Sequence, residues 1–391
     1  MNRLPTWADV VLVPIISLFL AAFVAAIVLL AIGQSPVEAL TVMVNGALGS
    51  AYGWGYTLYY ATSFVFTGLA VTIAFHGGLF NIGGEGQALL GGLGVALVCL
   101  YIPFPHWTLA LLAAMIASMA FGAAWAAVPA YLQARRGSHI VITTIMFNYI
   151  AAALLIYILV NVLRPTGSMD PASARFPVTS MLPKFHDIPF LQDLFLKYGP
   201  DGAVKLTKDG LPTYQRVPAN VTFFIALAAC VGVWRVLWHT KLGYEIRAFG
   251  KQEKAANYAG ISSFKIIMLA MVLSGAFSGL MAINNVMGQA GRLLQNSAEG
   301  AGFIGIAVAL MGRNHPLGVL MAAILFGFLY QGGASLGLQT TIPIELRTVL
   351  QGLVILFTGA LDIMVRMMLG WFFRPKSGPK SGPESAAKGA A

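Results

Sequence analysis

The chain has 391 residues, 58% of them hydrophobic and only 10% charged, with a mean hydropathy of +0.77. Those values exclude a soluble globular domain and point to a polytopic membrane protein. The net charge of +10 would suggest a nucleic-acid partner in a soluble chain; here it reads as basic loops gathered on one side of a bilayer, and no nucleic acid is expected.

A hydrocarbon core of about 30 Å takes roughly 20 apolar residues in a helix. By that ruler the sequence predicts an all-α bundle of ten spans. They lie at approximately 10–32, 57–76, 86–104, 108–132, 140–163, 218–238, 265–287, 300–313, 317–336 and 347–369. The first run is too long for a signal-peptide core and is kept as a span. The eighth is short and Gly-rich, which makes nine spans the competing count. With the N-terminus inside, the C-terminus is cytoplasmic too. The Lys and Arg of the short loops then gather on that side, apart from Arg292 and Arg347. Residues 1–374 form one transmembrane domain. Within it, 164–217 is a proline-rich external loop and 239–264 a cytoplasmic connection. The low-complexity tail 375–391 reads as disordered. Cys99 and Cys230 each lie inside an apolar run, as buried thiols rather than a disulfide.

Several chemistries lack their residues. The only GK pair, Gly250-Lys251, has no glycine five positions earlier and no Ser or Thr after it, so no phosphate-binding loop is present. The six His are scattered, without metal-ligand spacing. Neither H-E-x-x-H nor G-x-S-x-G occurs. The chain is therefore expected to be no enzyme, to hydrolyse no ATP itself, and to bind no metal or cofactor.

The most charged connection is HTKLGYEIRAFGKQEKAANYAGISSFK, residues 239–265. Gly243 and Gly250 bracket a predicted short turn carrying Glu245 and Arg247. After it, KQEKAANYAG reads as a short helix with Ala255, Ala256 and Ala259 on one side and Gly260 as its C-cap. Small residues admit another protein's backbone, and the flanking charges fix its register. An amphipathic helix lying on lipid headgroups is the competing reading.

This segment resembles the cytoplasmic coupling loop of ABC importer permeases of the branched-chain amino acid and sugar type. GLFNIGGEGQ at 78–87 and TTIMFNYIA at 143–151 resemble, more narrowly, the permeases of nucleoside or simple-sugar importers. NGALGS at 45–50 and GFIGIAVALMG at 302–312 agree. The resemblance implies alternating access driven by separate ABC ATPase subunits that use ATP. It also implies a second permease chain, related but different, and an external solute-binding protein, all in the bacterial cytoplasmic membrane. One position departs from the family: His139 stands where a Glu usually precedes the fifth span. An ion-coupled secondary transporter is the alternative, and it gives the 243–260 segment no purpose.

Where the second span gives way to the third, Asn81, Glu85 and Gln87 lie among glycines in HGGLFNIGGEGQALLGG, residues 76–92. A charge in hydrocarbon is costly, so Glu85 must face protein or water. One reading breaks the helix here, so that backbone and polar side chains line the solute's pathway. The other makes Glu85 an N-terminal cap of the third span at a cytoplasmic turn. A third combines them, with Glu85 in a gate whose partner changes between states. Asn148, Asn284 and Asn285 carry the same choice between pathway lining and interhelical hydrogen bonding. Tyr59, Tyr60 and Phe66 read as packing residues.

Overall fold

The computed structural model describes residues 13–199, 203–207 and 210–340, with isolated positions among 348–356. The predicted span 347–369 and tail 375–391 fall essentially outside these residues. Twelve α-helices occur among the described residues, and no β-strand, only isolated bridges. In chain order they are α1 (Val13–Ala31), α2 (Pro36–Leu48), α3 (Ala51–His76), α4 (Gly84–Tyr101), α5 (Trp107–Arg136) and α6 (Ile140–Ile158). Then come α7 (Thr222–His239), α8 (Lys241–Lys251), α9 (Glu253–Tyr258), α10 (Ser263–Ala282), α11 (Ala301–Met311) and α12 (Pro316–Gln339). Short π-helical stretches extend α6 over Leu159–Leu163 and α10 over Ile283–Ala290.

Seven of these helices are long and apolar enough to cross a membrane: α3, α4, α5, α6, α7, α10 and α12, with α6 and α10 counted through their π stretches. A bent pair raises the number to eight. Phe19–Ala31 and Pro36–Leu48 meet at 119°. The break falls at Gly33, whose φ of 78° suits a residue without a side chain. Ser35 then caps α2 by accepting from the Glu38 N–H, and Pro36 occupies the first helical position. The sequence reading missed α2: its 13 residues, with Glu38 and Asn45 among them, fall short of any span-length window.

The predicted eighth span needs correction. Only Ala301–Met311 is helical there, and 11 residues rise about 16 Å, half of a hydrocarbon core. This half-helix packs on α3 and α12.

Burial separates the remaining helices. Most of α3, α4 and α10 is buried, against less than a third of α5, α6 and α7. The inner helices carry the small residues that close packing in a bilayer requires. A Cβ on Gly122 of α5 would strike the Gly275 carbonyl of α10, and one on Gly279 would strike the Ser118 carbonyl. The loop 164–217 has short 3-10 turns and isolated bridges such as Leu196 to Tyr214, and its Phe185, Phe195 and Val217 form a small core with Ala219 just beyond it. Cys99 and Cys230 are buried free thiols.

A broken-helix core and a wedged helix pair

After α3 ends at His76, residues 77–83 turn back into the bundle, and α4 begins at Gly84. Their backbone groups need partners in a place without water, and the amides of the motif provide them. The Asn81 side chain accepts from the Gly83 N–H at 2.9 Å. It donates to the Ser274 hydroxyl of α10 at 2.8 Å and to Gln87 Oε1 at 2.9 Å. The Ser274 hydroxyl donates onward to the Ala70 carbonyl. From α6, Asn148 accepts from the Gly86 N–H and donates to the Ile82 carbonyl, both at 2.9 Å. Asn81, Gln87 and Asn148 are thus buried and hydrogen-bonded within the protein.

Glu85 sits at the centre of this arrangement. It does not cap its own helix, whose N-cap is Gly83 without a side-chain bond. Its two carboxylate oxygens instead accept from the N–H groups of Gly300 and Gly302, each at 2.9 Å. The carboxylate therefore caps α11, where the unpaired N–H groups and the dipole favour negative charge. A Cβ on Gly302 would overlap the Glu85 backbone nitrogen, so the two helix starts touch. From this point α4 runs toward the 164–217 loop. Trp107, just beyond it, helps line a cavity of about 740 Å³ under that loop. In the opposite direction α11 reaches the end of α3, where the Asn314 carbonyl meets the His76 ring nitrogen at 2.9 Å. Two helix starts thus meet inside the bundle, and a carboxylate from the first turn of α4 caps α11.

Asn284 and Asn285 form a second network on the π stretch of α10. The Asn284 oxygen accepts from Asn220 and from the Thr222 hydroxyl at the start of α7, and its amide donates to the Tyr59 carbonyl and the Ser63 hydroxyl of α3. Asn285 accepts from Ser63 at 2.8 Å and donates to the Ser297 carbonyl at 2.8 Å. π-Helical turns shift side chains out of the usual register, and here the shift aims two adjacent amides at three separate elements.

At the end of α3 lies α8, with α9 packed on it. The stretch read as a short turn is a continuous amphipathic helix of 11 residues. Gly243, Ile246 and Phe249 face the core, and the Thr240 hydroxyl caps the start. A Cβ on Gly250 would collide with the His76 carbonyl, and one on Gly78 would press on Gly250, so α8 lies backbone to backbone against the turn after α3. Arg247 lies with its guanidinium 5.9 Å from the Trp238 ring. Glu245 pairs with Lys241 at 3.9 Å. On α9 the expected small-residue side is split: Ala256 is buried, whereas Ala255 and Ala259 are exposed. Gly260 follows with φ 84°. A groove of about 570 Å³ runs between Lys241, Tyr244 and Glu245 on one side and Ala255, Ala259 and Ile261 on the other. His139, at the N-cap of α6, is exposed and makes no capping bond.

The family described as branched-chain amino acid transport system / permease component matches residues 53–359. The chain belongs to this family. It is a multi-pass membrane permease. The glucose ABC transporter permease of Haloferax volcanii is 32% identical over 92% of this chain and 90% of its own. The guanosine ABC transporter permease NupP of Bacillus subtilis is 34% identical over 92% and 95%. The nucleoside ABC transporter permease NupB of Lactococcus lactis is 32% identical over 92% and 93%. All three are permease proteins of ABC transporters.

Sequence reasoning missed part of this permease's core. Ser63, Ser274 and Thr222 complete the networks, yet each is a single hydroxyl in an apolar run and gives no periodic signal. Gln295, Asn296 and Glu299 are exposed in the stretch that leads into α11. Polar residues crowded before a helix too short to span were the available sign.

Proposed function

We propose that this permease forms the membrane route of an ABC importer for nucleosides or simple sugars. The observation that carries the reading is the seat of α8. Its buried face is wedged under α3, α7 and α10, and beside it an exposed groove with small side chains is open to a partner. The substrate class follows the relatives of guanosine, nucleoside and glucose transporters.

In this reading α8 and α9 lie on the cytoplasmic side, and the 164–217 loop faces outward. An ATPase subunit docks at Glu245, Ala255, Ala259 and Gly260, and binds and hydrolyses the ATP. A second, related permease chain completes the route, and an external solute-binding protein delivers the solute. The assembly lies in the bacterial cytoplasmic membrane. When the ATPases close, α8 moves as a rigid body because Gly243 and Gly250 leave no slack against α7 and α3. The motion reaches the 77–83 turn through Gly250 and Gly78, and from there passes through Glu85 to α11. Asn81, Gln87, Asn148, Asn284 and Asn285 hold the walls of the route, and their networks exchange partners as the half-helices shift.

Arg247→Glu tests the coupling. It removes the cation from Trp238 and places a carboxylate near Glu245. The expected result is a folded, inserted protein whose solute uptake falls at least about tenfold while the ATPases still turn over, because the lost contact lies on the transmission path. Uptake at the wild-type rate would overturn the coupling role.

A further inference from the structure

The cavity of about 740 Å³ under the 164–217 loop has no part in the framework above. One side of it is the end of α10, residues 287–290, with the cap Gly291. The other is the loop, held to that end by backbone pairing. The Phe176 N–H donates to the Gly291 carbonyl at 2.8 Å and the Ser173 N–H to the Leu293 carbonyl at 3.0 Å, and Ala172 bridges Leu294. A Cβ on Gly288 would strike the side chain of Asn220, whose amide donates to Asn284 at 3.0 Å. The two sides are therefore one packed body, joined to the amide network of the core.

The lining is basic. Arg175, Lys184 and Arg216 border the cavity, and Asp187 is the one carboxylate among its lining residues. That carboxylate is engaged within its own turn: it accepts from the Lys184 N–H at 3.0 Å and lies 3.6 Å from the His186 ring nitrogen. None of the three cations forms an ion pair among the described residues. Arg175 and Arg216 are exposed, and Lys184 is half-buried. The same lining includes Trp107, Tyr214, Met181 and Met287. Arg, Met and aromatic side chains are the ones enriched where proteins meet, and a basic cleft draws acidic surface toward it. A site for one small anion gathers its donors in an enclosed pocket; here the exposed guanidiniums stand on separate segments of the loop. α10 decides which side the cavity serves. It starts at Ser263, just after α9, and ends in the lining, so the cavity lies at the far end of the bundle from α8.

We propose that this cavity is the docking groove for an acidic protrusion of the external solute-binding protein. The inference rests on the import reading and deepens it by giving that partner a seat and a chemistry. Carboxylates of the protrusion pair with Arg175, Lys184 and Arg216, and its apolar side chains pack on Trp107 and Met287. Seated there, the partner rests on the same stretch of α10 that carries Asn284 and Asn285.

The test uses the assembled transporter in nanodiscs of neutral lipid, with the purified solute-binding protein that restores uptake to it. Arg175→Glu combined with Arg216→Glu should weaken binding of that protein at least about tenfold, because like charges then face each other. Both positions are exposed, so the thermal midpoint and basal ATP hydrolysis should stay at wild-type values. Binding to the wild type should weaken with added salt, and the doubly reversed variant should lose that dependence. Poly-glutamate should compete for the groove, and inorganic phosphate at equal charge should not. Wild-type affinity in the doubly reversed variant would overturn the proposal. So would displacement by phosphate as readily as by poly-glutamate, which would make the cavity a small-anion site. Absence of import by the wild-type chain with any solute-binding protein would instead refute the import reading.

Discussion

Glu85 answers a chemical need created more than two hundred residues away in the chain. The first N–H groups of α11 have no helical partners, and the carboxylate supplies two acceptors at once. Glu85→Ala leaves both N–H groups buried without an acceptor, at about 1–3 kcal/mol each. We expect uptake to fall at least about tenfold while the amount of protein in the membrane falls less than about twofold, because packing of the long helices is untouched. Quantitative immunoblotting beside transport separates the two. A matched decline in both would give Glu85 a purely structural role. At this scale the sequence pointed to the right side chains and not to their partners. Glu85, Asn148 and Asn284 stand out as polar groups in apolar runs, and each must find a partner. Which partner depends on contacts between distant segments, such as Asn284 with Ser63 and Thr222, that no local pattern encodes.

At the scale of the element, α8 and α9 present a buried face and an exposed one, and substitutions should separate the roles proposed for them. Gly250→Ala places a methyl group on the His76 carbonyl, a backbone atom that cannot rotate away. Overpacking of this kind costs about 1–3 kcal/mol, and we expect a lower thermal midpoint in detergent together with lost transport. Ala255→Trp lies on the exposed face. It should leave the midpoint within about a degree of wild type yet abolish co-purification of the ATPase subunit. An ATPase that still co-purifies would move the docking site away from α9. Long elements were legible because a run of apolar residues as long as a bilayer is thick has few other meanings. The two that were not legible, α2 and the half-helix α11, are too short for that ruler. Their ends are set by Gly33 and Gly300, whose positive φ shows only in the folded chain. Gly243 and Gly250 mark a turn by sequence; in the structure they are places of close approach within α8.

The whole molecule is a bundle in which α3, α4 and α10 form the buried centre and two helices start inside it from opposite directions. Its class was legible from composition, and its family from motifs that lie far apart in the chain: the 77–83 turn with Asn81, the Asn148 segment, and α8. The structure joins these three into one chain of contacts, from Gly250 through Gly78 and Ile82 to Asn148 and Glu85. Under the proposed function, import driven from α8 would depend on this whole chain of contacts rather than on any one residue. The measurement that bears on it most directly is uptake of labelled nucleoside, with excess unlabelled ribose as competitor. It should compare cells lacking the chain, cells with the chain restored, and cells with Arg247→Glu restored. Uptake that disappears on deletion, returns with the wild-type chain, resists ribose and fails to return with Arg247→Glu is the predicted result. Nucleoside and sugar uptake both unchanged by deletion, or full recovery with Arg247→Glu, would contradict the account.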